Sequence, residues 1–123
     1  MQVKVFGLTI GVLMMGMSWA NAQSAEPSYK ASPDVYKVIF EDANFRVISV
    51  NRPKGLHDKP HSHPLPGIIY NVTDCNTKLY GPDGKTRDNN AKAGTASASP
   101  ITQSHSAENT GNADCKQLLV EKK

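Results

Sequence analysis

The interpretation of this chain rests on residues 55–63, which read GLHDKPHSH. This stretch holds three of the four histidines, and one residue separates His61 from His63. In an extended strand such residues point to the same side, so both imidazoles can converge on one metal ion at about 2.0 to 2.1 Å from each ring nitrogen. A third ligand must then come from elsewhere in the fold, and His105 is the only histidine in the C-terminal half.

The first 22 residues are typical of an export signal. Lys4 precedes an apolar stretch, residues 5–17, which is followed by the small-residue site Ala20-Asn21-Ala22. As a helix the apolar stretch would rise only about 20 Å, well short of a hydrocarbon core of about 30 Å. We therefore expect cleavage after Ala22 and a periplasmic or secreted protein with no membrane association.

The charge balance and the length exclude two classes of protein. The chain has 14 basic and 11 acidic residues and no run of like charges, so it lacks the electrostatic footprint of a nucleic-acid-binding protein. About 100 residues remain after signal removal, enough for one small domain but not for a large two-domain enzyme. Residues 23–34 are polar and are expected to form a flexible leader, with the folded domain at residues 35–123.

Short apolar runs separated by turn residues dominate the mature chain. Residues 35–40 and 45–50 flank a polar turn, and further runs lie at residues 67–72 and 77–80, before the turn at residues 81–84. No stretch combines an apolar period of 3.6 with helix caps. The pattern predicts an all-β sandwich or barrel of about seven or eight short antiparallel strands.

Cys75 and Cys115 are the two cysteines of the chain. In an exported protein they are expected to form a disulfide that closes a loop of about 40 residues. A pair of thiolate metal ligands is the alternative, although the spacing fits no Cys-x-x-Cys pattern.

Residues 55–63 resemble the first motif of the cupins, which reads Gly, five residues, then His-x-His. The second cupin motif runs from Gly through Pro and His to Asn, and its positions are matched in register by Gly94, Pro100, His105 and Asn109. Two motifs in the right order are more specific than either alone. The resemblance implies a jelly-roll barrel, also called a double-stranded β-helix, with a metal site in its mouth.

The resemblance also implies a set of metal ligands. The first cupin motif continues to a Glu ligand, but this chain has Gly67 or Ile68 at that position. The ligands carried over are therefore His61, His63 and His105, a set similar to that of cupins that use iron without a carboxylate. Imidazole suits several ions, so the cofactor is expected to be a divalent transition metal, one of Fe, Mn, Zn, Cu or Ni.

Four further residues are candidates for supporting the ligands or contacting a substrate. His57 is either a solvent-exposed loop histidine or a proton shuttle or fourth ligand. Gln103 and Asn109 share strand parity with His105, so their amides are expected to point inward. Tyr70 is expected to be a core or barrel-wall aromatic, with substrate contact as the alternative.

Three functions are compatible with these features. The first is a metal-binding protein with unassigned activity, and the second is a metal-dependent enzyme of the dioxygenase or isomerase type acting on a small polar substrate. The third is a metal-free barrel with a structural or ligand-binding role. The expected partners are a metal ion and a small-molecule ligand, and the lean core makes a homodimer plausible.

Overall fold

The structure is a computed structural model that describes residues 24–123. The predicted export signal, residues 1–22, lies outside the described residues. Between residues 24 and 123 no helix is both long enough and apolar enough to cross a bilayer.

One short helix and nine strands make up the described chain. They are α1 (Ser28–Ala31), β1 (Tyr36–Glu41), β2 (Phe45–Arg52), β3 (His61–His63), β4 (Gly67–Asn71), β5 (Cys75–Tyr80), β6 (Thr86–Ala91), β7 (Ala96–Ser99), β8 (Thr102–Asn109) and β9 (Cys115–Lys122). The all-β prediction is confirmed. The count exceeds the expected seven or eight because His61–His63 forms a short strand of its own.

The strands form two antiparallel sheets. The five-stranded sheet has the order β1-β2-β9-β4-β7, and the four-stranded sheet has the order β3-β8-β5-β6. The longest pairing joins β2 to β9 over eight residue pairs, from Phe45 opposite Lys122 to Arg52 opposite Cys115. This architecture is consistent with the predicted jelly roll.

The apolar core is small and lies against the five-stranded sheet. Alternation along β2 and β9 turns Ile48, Val50 and Leu119 inward, and Ile48 lies directly opposite Leu119. Val35 and Tyr36 complete the group of buried core residues. Because few apolar side chains are buried, polar contacts and covalent links carry much of the remaining organisation.

Residues 24–34 differ from the flexible leader that we expected. The amide of Ala25 donates to the carbonyl of Gln103 at 3.0 Å, and the amide of Ser62 donates to the carbonyl of Glu26 at 2.7 Å. Ser28, at the start of α1, is only 1% exposed. The segment lies beside β3 and is held by backbone hydrogen bonds, which a polar composition does not reveal.

Both glycines that begin the motif matches lie in the left-handed region of backbone space. Gly55 has a φ of 77° and Gly94 a φ of 81°. Side chains rarely adopt this conformation, so glycine at these turns has a conformational cause.

A disulfide joins Cys75, the first residue of β5, to Cys115, the first residue of β9. The Cα atoms lie 4.9 Å apart, and the sequence separation is 40 residues. Since β5 and β9 belong to different sheets, the bond links the two halves of the sandwich directly.

The double variant Cys75→Ala/Cys115→Ala is expected to lose about 4 kcal/mol of unfolding free energy, because the unfolded chain regains the entropy of an open loop. Urea denaturation of the variant and of the oxidised wild type measures the difference. Reduced wild-type protein should match the variant. A loss below about 1 kcal/mol would contradict a stabilising role.

Candidate metal centre

Three histidines from two neighbouring strands form one cluster. Across the pairing of β3 with β8, His61 lies opposite His105, while His63 lies opposite Thr102. The ring centroids are 5.0 Å apart for His61 and His63, 4.8 Å for His61 and His105, and 4.9 Å for His63 and His105. The structure therefore brings together the three residues that the sequence proposed as ligands.

A hydrogen bond from Nδ1 fixes the orientation of the His61 ring. Its Nδ1 lies 2.8 Å from the carbonyl oxygen of Lys59, and a carbonyl can only accept, so Nδ1 carries the proton and donates. This tautomer leaves the Nε2 lone pair of His61 free to bind a metal. A backbone carbonyl that orients a histidine in this way is a common second partner of metal-binding imidazoles.

The other two rings present their Nε2 atoms to each other at 3.0 Å. Two ligands about 2.1 Å from one ion and at right angles to each other are separated by about 3.0 Å, so this spacing suits a shared metal. The candidate ligand atoms of all three histidines lie within 4.8 Å of one another. His63 Nδ1 is buried without a hydrogen-bond partner among the described residues, whereas Nε2 is the nitrogen that faces His105.

The cluster is held in its neutral form. Burial lowers the pKa of His63 to about 3, with further lowering by His61 and His105. Burial likewise lowers the pKa of His105 to about 4 and shifts that of His61 downward. Neutral imidazole is the form that binds metal, so near pH 7 protons do not compete for these nitrogens.

The free energy of unfolding of chelator-treated protein should fall as the pH drops from about 6.5 towards 4. Unfolded histidines bind protons near pH 6.5, whereas His63 and His105 in the folded state do so only at about 3 and about 4. The unfolded state therefore takes up more protons in this window, and stability present above it is lost on acidification.

Urea denaturation at pH 7.5, 6 and 5 measures this loss. The variant His63→Asn/His105→Asn should show a shallower dependence, because the two groups responsible are absent. The same slope in wild type and variant would assign the effect to other residues.

A buried ion pair between Arg52 and Asp58 lies next to the cluster. Arg52 Nη2 donates to Asp58 Oδ2 at 3.0 Å and to the Tyr36 hydroxyl at 2.6 Å, and that hydroxyl donates to Asp58 Oδ2 at 2.8 Å. Asp58 Oδ1 accepts the backbone amide of Ala107 at 2.7 Å. Tyr36 Oη also lies 3.3 Å from His61 Nε2, so the network reaches the cluster itself.

Burial raises the pKa of Tyr36 well above its usual range, so its hydroxyl keeps its proton. The side chains of Arg52 and Asp58 are 4% and 0% exposed, so solvent hardly screens their attraction. The network is therefore almost entirely buried and is held by several hydrogen bonds.

Sequence reasoning missed Tyr36, Arg52 and Asp58. Strand parity offered a signal for Arg52, because it follows Ile48 and Val50 on the inward face of β2. A charged residue in an inward row must be paired, and Asp58 lies only six positions later. The role of Tyr36 depends on the pairing of β1 with β2 and carried no comparable signal.

The variant Asp58→Asn should lose about 3 to 5 kcal/mol of unfolding free energy, because the buried guanidinium of Arg52 loses its counter-charge. Urea denaturation of metal-free protein measures the loss. Asp88→Asn, a matched change at an exposed position of β6, should stay within about 0.5 kcal/mol of wild type. Equal effects of the two changes would remove Asp58 from this role.

The cluster borders a cavity of about 350 Å³ between the two sheets. His63 and His105 line it, together with Tyr36 and Arg52. Thr102 also lines it, whereas Gln103 does not. A small molecule in this cavity would therefore contact the face of the cluster.

Neither candidate position for the fourth cupin ligand places a side chain in the cavity. A Cβ atom at Gly67 would clash with the backbone carbonyl of Val120 in the neighbouring strand β9. Ile68 is 51% exposed and does not line the cavity. Neither of these two positions therefore adds a ligand to the three histidines.

Two of the four supporting candidates lie away from the cavity. His57 is exposed, its Nε2 lies 2.8 Å from Ser106 Oγ, and its ring stacks on Tyr80 at 4.4 Å. Gln103 is exposed because the register of β3 and β8 shifts between the partners of His61 and His63. This irregularity puts Thr102 on the inward side and corrects the parity argument for Gln103.

The other two candidates act in the framework. Asn109 is 1% exposed, and its Nδ2 donates to the carbonyls of Arg52 at 2.9 Å and Ala113 at 2.8 Å. It therefore fixes the end of the strand that carries Arg52 and does not contact the cavity. Tyr70 is 41% exposed on the wall of β4 and does not line the cavity.

Comparisons with known proteins identify the fold. A scan against protein-family models finds no match, and a search of curated proteins finds no significant relative. Among solved structures, a cupin domain from Bordetella pertussis is 18% identical with a TM-score of 0.66, over 72% of this chain and 92% of that one. An RmlC-like cupin family protein from Methanocaldococcus jannaschii, with a double-stranded β-helix fold, is 14% identical with a TM-score of 0.58, over 72% and 78%.

A cupin-2 domain protein from Shewanella frigidimarina is 16% identical with a TM-score of 0.50, over 72% of this chain and 79% of that one. All three matches share the fold at low sequence identity. The described chain therefore has the cupin fold, and its three clustered histidines could hold a metal ion.

Proposed function

We propose that this protein is a periplasmic or secreted cupin-fold protein that binds a divalent transition metal through His61, His63 and His105. The observation that carries the proposal is the set of three neutral imidazoles, two buried and that of His105 half-buried, gathered beside a cavity. The fixed tautomer of His61 and the 3.0 Å approach of the Nε2 atoms of His63 and His105 suit a common ion.

The arrangement leaves the remaining coordination positions towards the cavity. Three neutral ligands leave the full charge of a divalent ion in place, so the metal when bound supplies Lewis acidity to an oxygen atom held there. Tyr36 Oη, which lies 3.3 Å from His61 Nε2 and is anchored by Arg52 and Asp58, would be available to orient that oxygen.

Untagged protein isolated from its native compartment should contain close to one equivalent of metal, measured by elemental mass spectrometry. In His61→Ala/His63→Ala the metal content should fall to background, because one imidazole is a weak site by itself. In wild type the metal should raise the unfolding free energy by about 2.7 kcal/mol at a hundred times its dissociation constant, and a melt with chelator measures this.

The variant His57→Ala is the matched control, because His57 is exposed and bonded to Ser106 outside the cluster. It should keep the metal content of wild type. Metal-free protein that takes up none of Fe, Mn, Zn, Cu or Ni would contradict the proposal and leave a metal-free barrel.

Export is the second part of the proposal. Cell fractionation should place the protein in the periplasm or the medium, and N-terminal sequencing should begin at Gln23. The disulfide between Cys75 and Cys115 is compatible with an oxidising compartment. A cytoplasmic protein that begins at Met1 would contradict export without affecting the metal site.

An enzyme of the dioxygenase or isomerase type is the second candidate, favoured by the cavity and by Tyr36 beside His61. The metal-loaded protein would then consume oxygen or convert substrate when offered small diketones, thiols or phenols. The variant Tyr36→Phe would lower that turnover while retaining the metal. An absence of turnover across the panel would favour the binding function.

A further inference from the structure

The cavity has a one-sided charge distribution. Two arginines, Arg52 and Arg87, line it together with His63 and His105, and among the described residues no aspartate or glutamate does so. Asp58, which balances the charge of Arg52, is absent from the lining. A ligand in this space therefore meets no carboxylate in the lining itself, and Arg87 contributes a positive charge that no described carboxylate pairs with.

Arg52 holds one unused pair of donors. Its Nε and Nη2 atoms are bonded to Asp58 and Tyr36, whereas Nη1 makes no hydrogen bond to any described residue. Only Ser28 Oγ and His63 Nδ1 are fully enclosed without a partner among the described residues, so Nη1 reaches accessible space. Arg52 is 3% exposed and lines the cavity, so the cavity is the space that a ligand of Nη1 would occupy.

An arginine fixed in this way is a preorganised anion site. The ion pair with Asp58 and the 2.6 Å bond to Tyr36 hold the guanidinium plane, so little side-chain entropy is lost when a ligand binds. Arg87 lies at the exposed rim, opposite Leu79 in the pairing of β5 with β6, and adds unbalanced positive charge there.

Part of the remaining wall is apolar, while neutral polar groups are contributed by Thr77, Asn89, Ser97, Ser99, Thr102 and Gln117. Val50, Leu79 and Leu119 line the cavity beside the arginines, and its volume of about 350 Å³ is small for a ligand pocket. Such a space suits a ligand with a short carbon skeleton and a single charged end.

We infer that the cavity binds a small organic carboxylate, whose oxygens accept hydrogen bonds from Arg52 Nη1 while its carbon body packs on Val50, Leu79 and Leu119. Arg87 attracts the anion at the rim. This inference rests on the proposed function for the place of the ligand, but the arginine contact does not require the metal.

The test uses isobutyrate and its neutral isostere isobutyramide, with chelator-treated full-length mature protein labelled with ¹⁵N. Nuclear magnetic resonance titration detects millimolar binding and follows the Nε–H group of Arg52 and the amides around the cavity. Isobutyrate should bind at least about tenfold more tightly than the amide, because a charge-assisted hydrogen bond replaces a neutral one.

Three variants assign the contact. Arg52→Lys should weaken isobutyrate binding at least about tenfold, since a lysine lacks the planar fork. Arg87→Gln should weaken it about two- to threefold through the rim charge. Lys85→Gln, which removes the same charge from a side chain 88% exposed outside the cavity lining, should leave the affinity unchanged.

Arg52→Lys also weakens the pairing with Asp58, so its fold is checked by its amide spectrum. If that variant does not fold, the acid and amide comparison in wild type and the effect of Arg87→Gln decide the matter. Equal affinity for acid and amide, or equal effects of Arg87→Gln and Lys85→Gln, would then overturn the inference.

The metal and the carboxylate can fail separately. Isobutyrate binding to protein that takes up no metal would uphold the arginine site and contradict the metal proposal. Isobutyrate binding that requires metal and is insensitive to Arg52→Lys would overturn the arginine site alone. Metal uptake without carboxylate binding in either form would also overturn the inference while leaving the metal proposal intact.

Discussion

The carboxylate of Asp58 is the constraint on which the arrangement of the cluster depends. It accepts hydrogen bonds from Tyr36 in β1, from Arg52 in β2 and from the backbone amide of Ala107 in β8, and so ties the two sheets together at one point. His61 follows three residues later, so the short connection restricts where its side chain can lie. A buried ion pair adds little net stability compared with apolar packing, so its contribution here is one of placement.

The register between β3 and β8 then brings the three histidines together. His61 faces His105 directly, and the irregularity after that pair turns Thr102 towards the cavity. The motif spacing predicted that the three histidines lie together, because a period of two fixes which residues of an extended strand share a face. The same rule failed for Gln103, since an irregularity in the pairing cannot be read from local spacing.

Contacts between distant segments set the other limits of sequence reasoning. The strand runs were predictable because β-rich segments and turn residues alternate along the chain. The association of residues 24–34 with β3 was not, because backbone hydrogen bonds formed by polar residues leave no compositional trace. Arg52 lay on a predictable inward row, whereas its bond to Tyr36 depends on which strand becomes its neighbour.

The absence of space at Gly67 limits how the site can evolve. The carbonyl of Val120 occupies the space that a Cβ atom at Gly67 would need. A substitution at this position therefore cannot place a carboxylate there without moving the backbone. Recruiting one would require β4 and β9 to separate or change register, and β9 lies between β2 and β4 in the middle of its sheet. A carboxylate facing the cavity would therefore have to come from another lining position, such as Ile69.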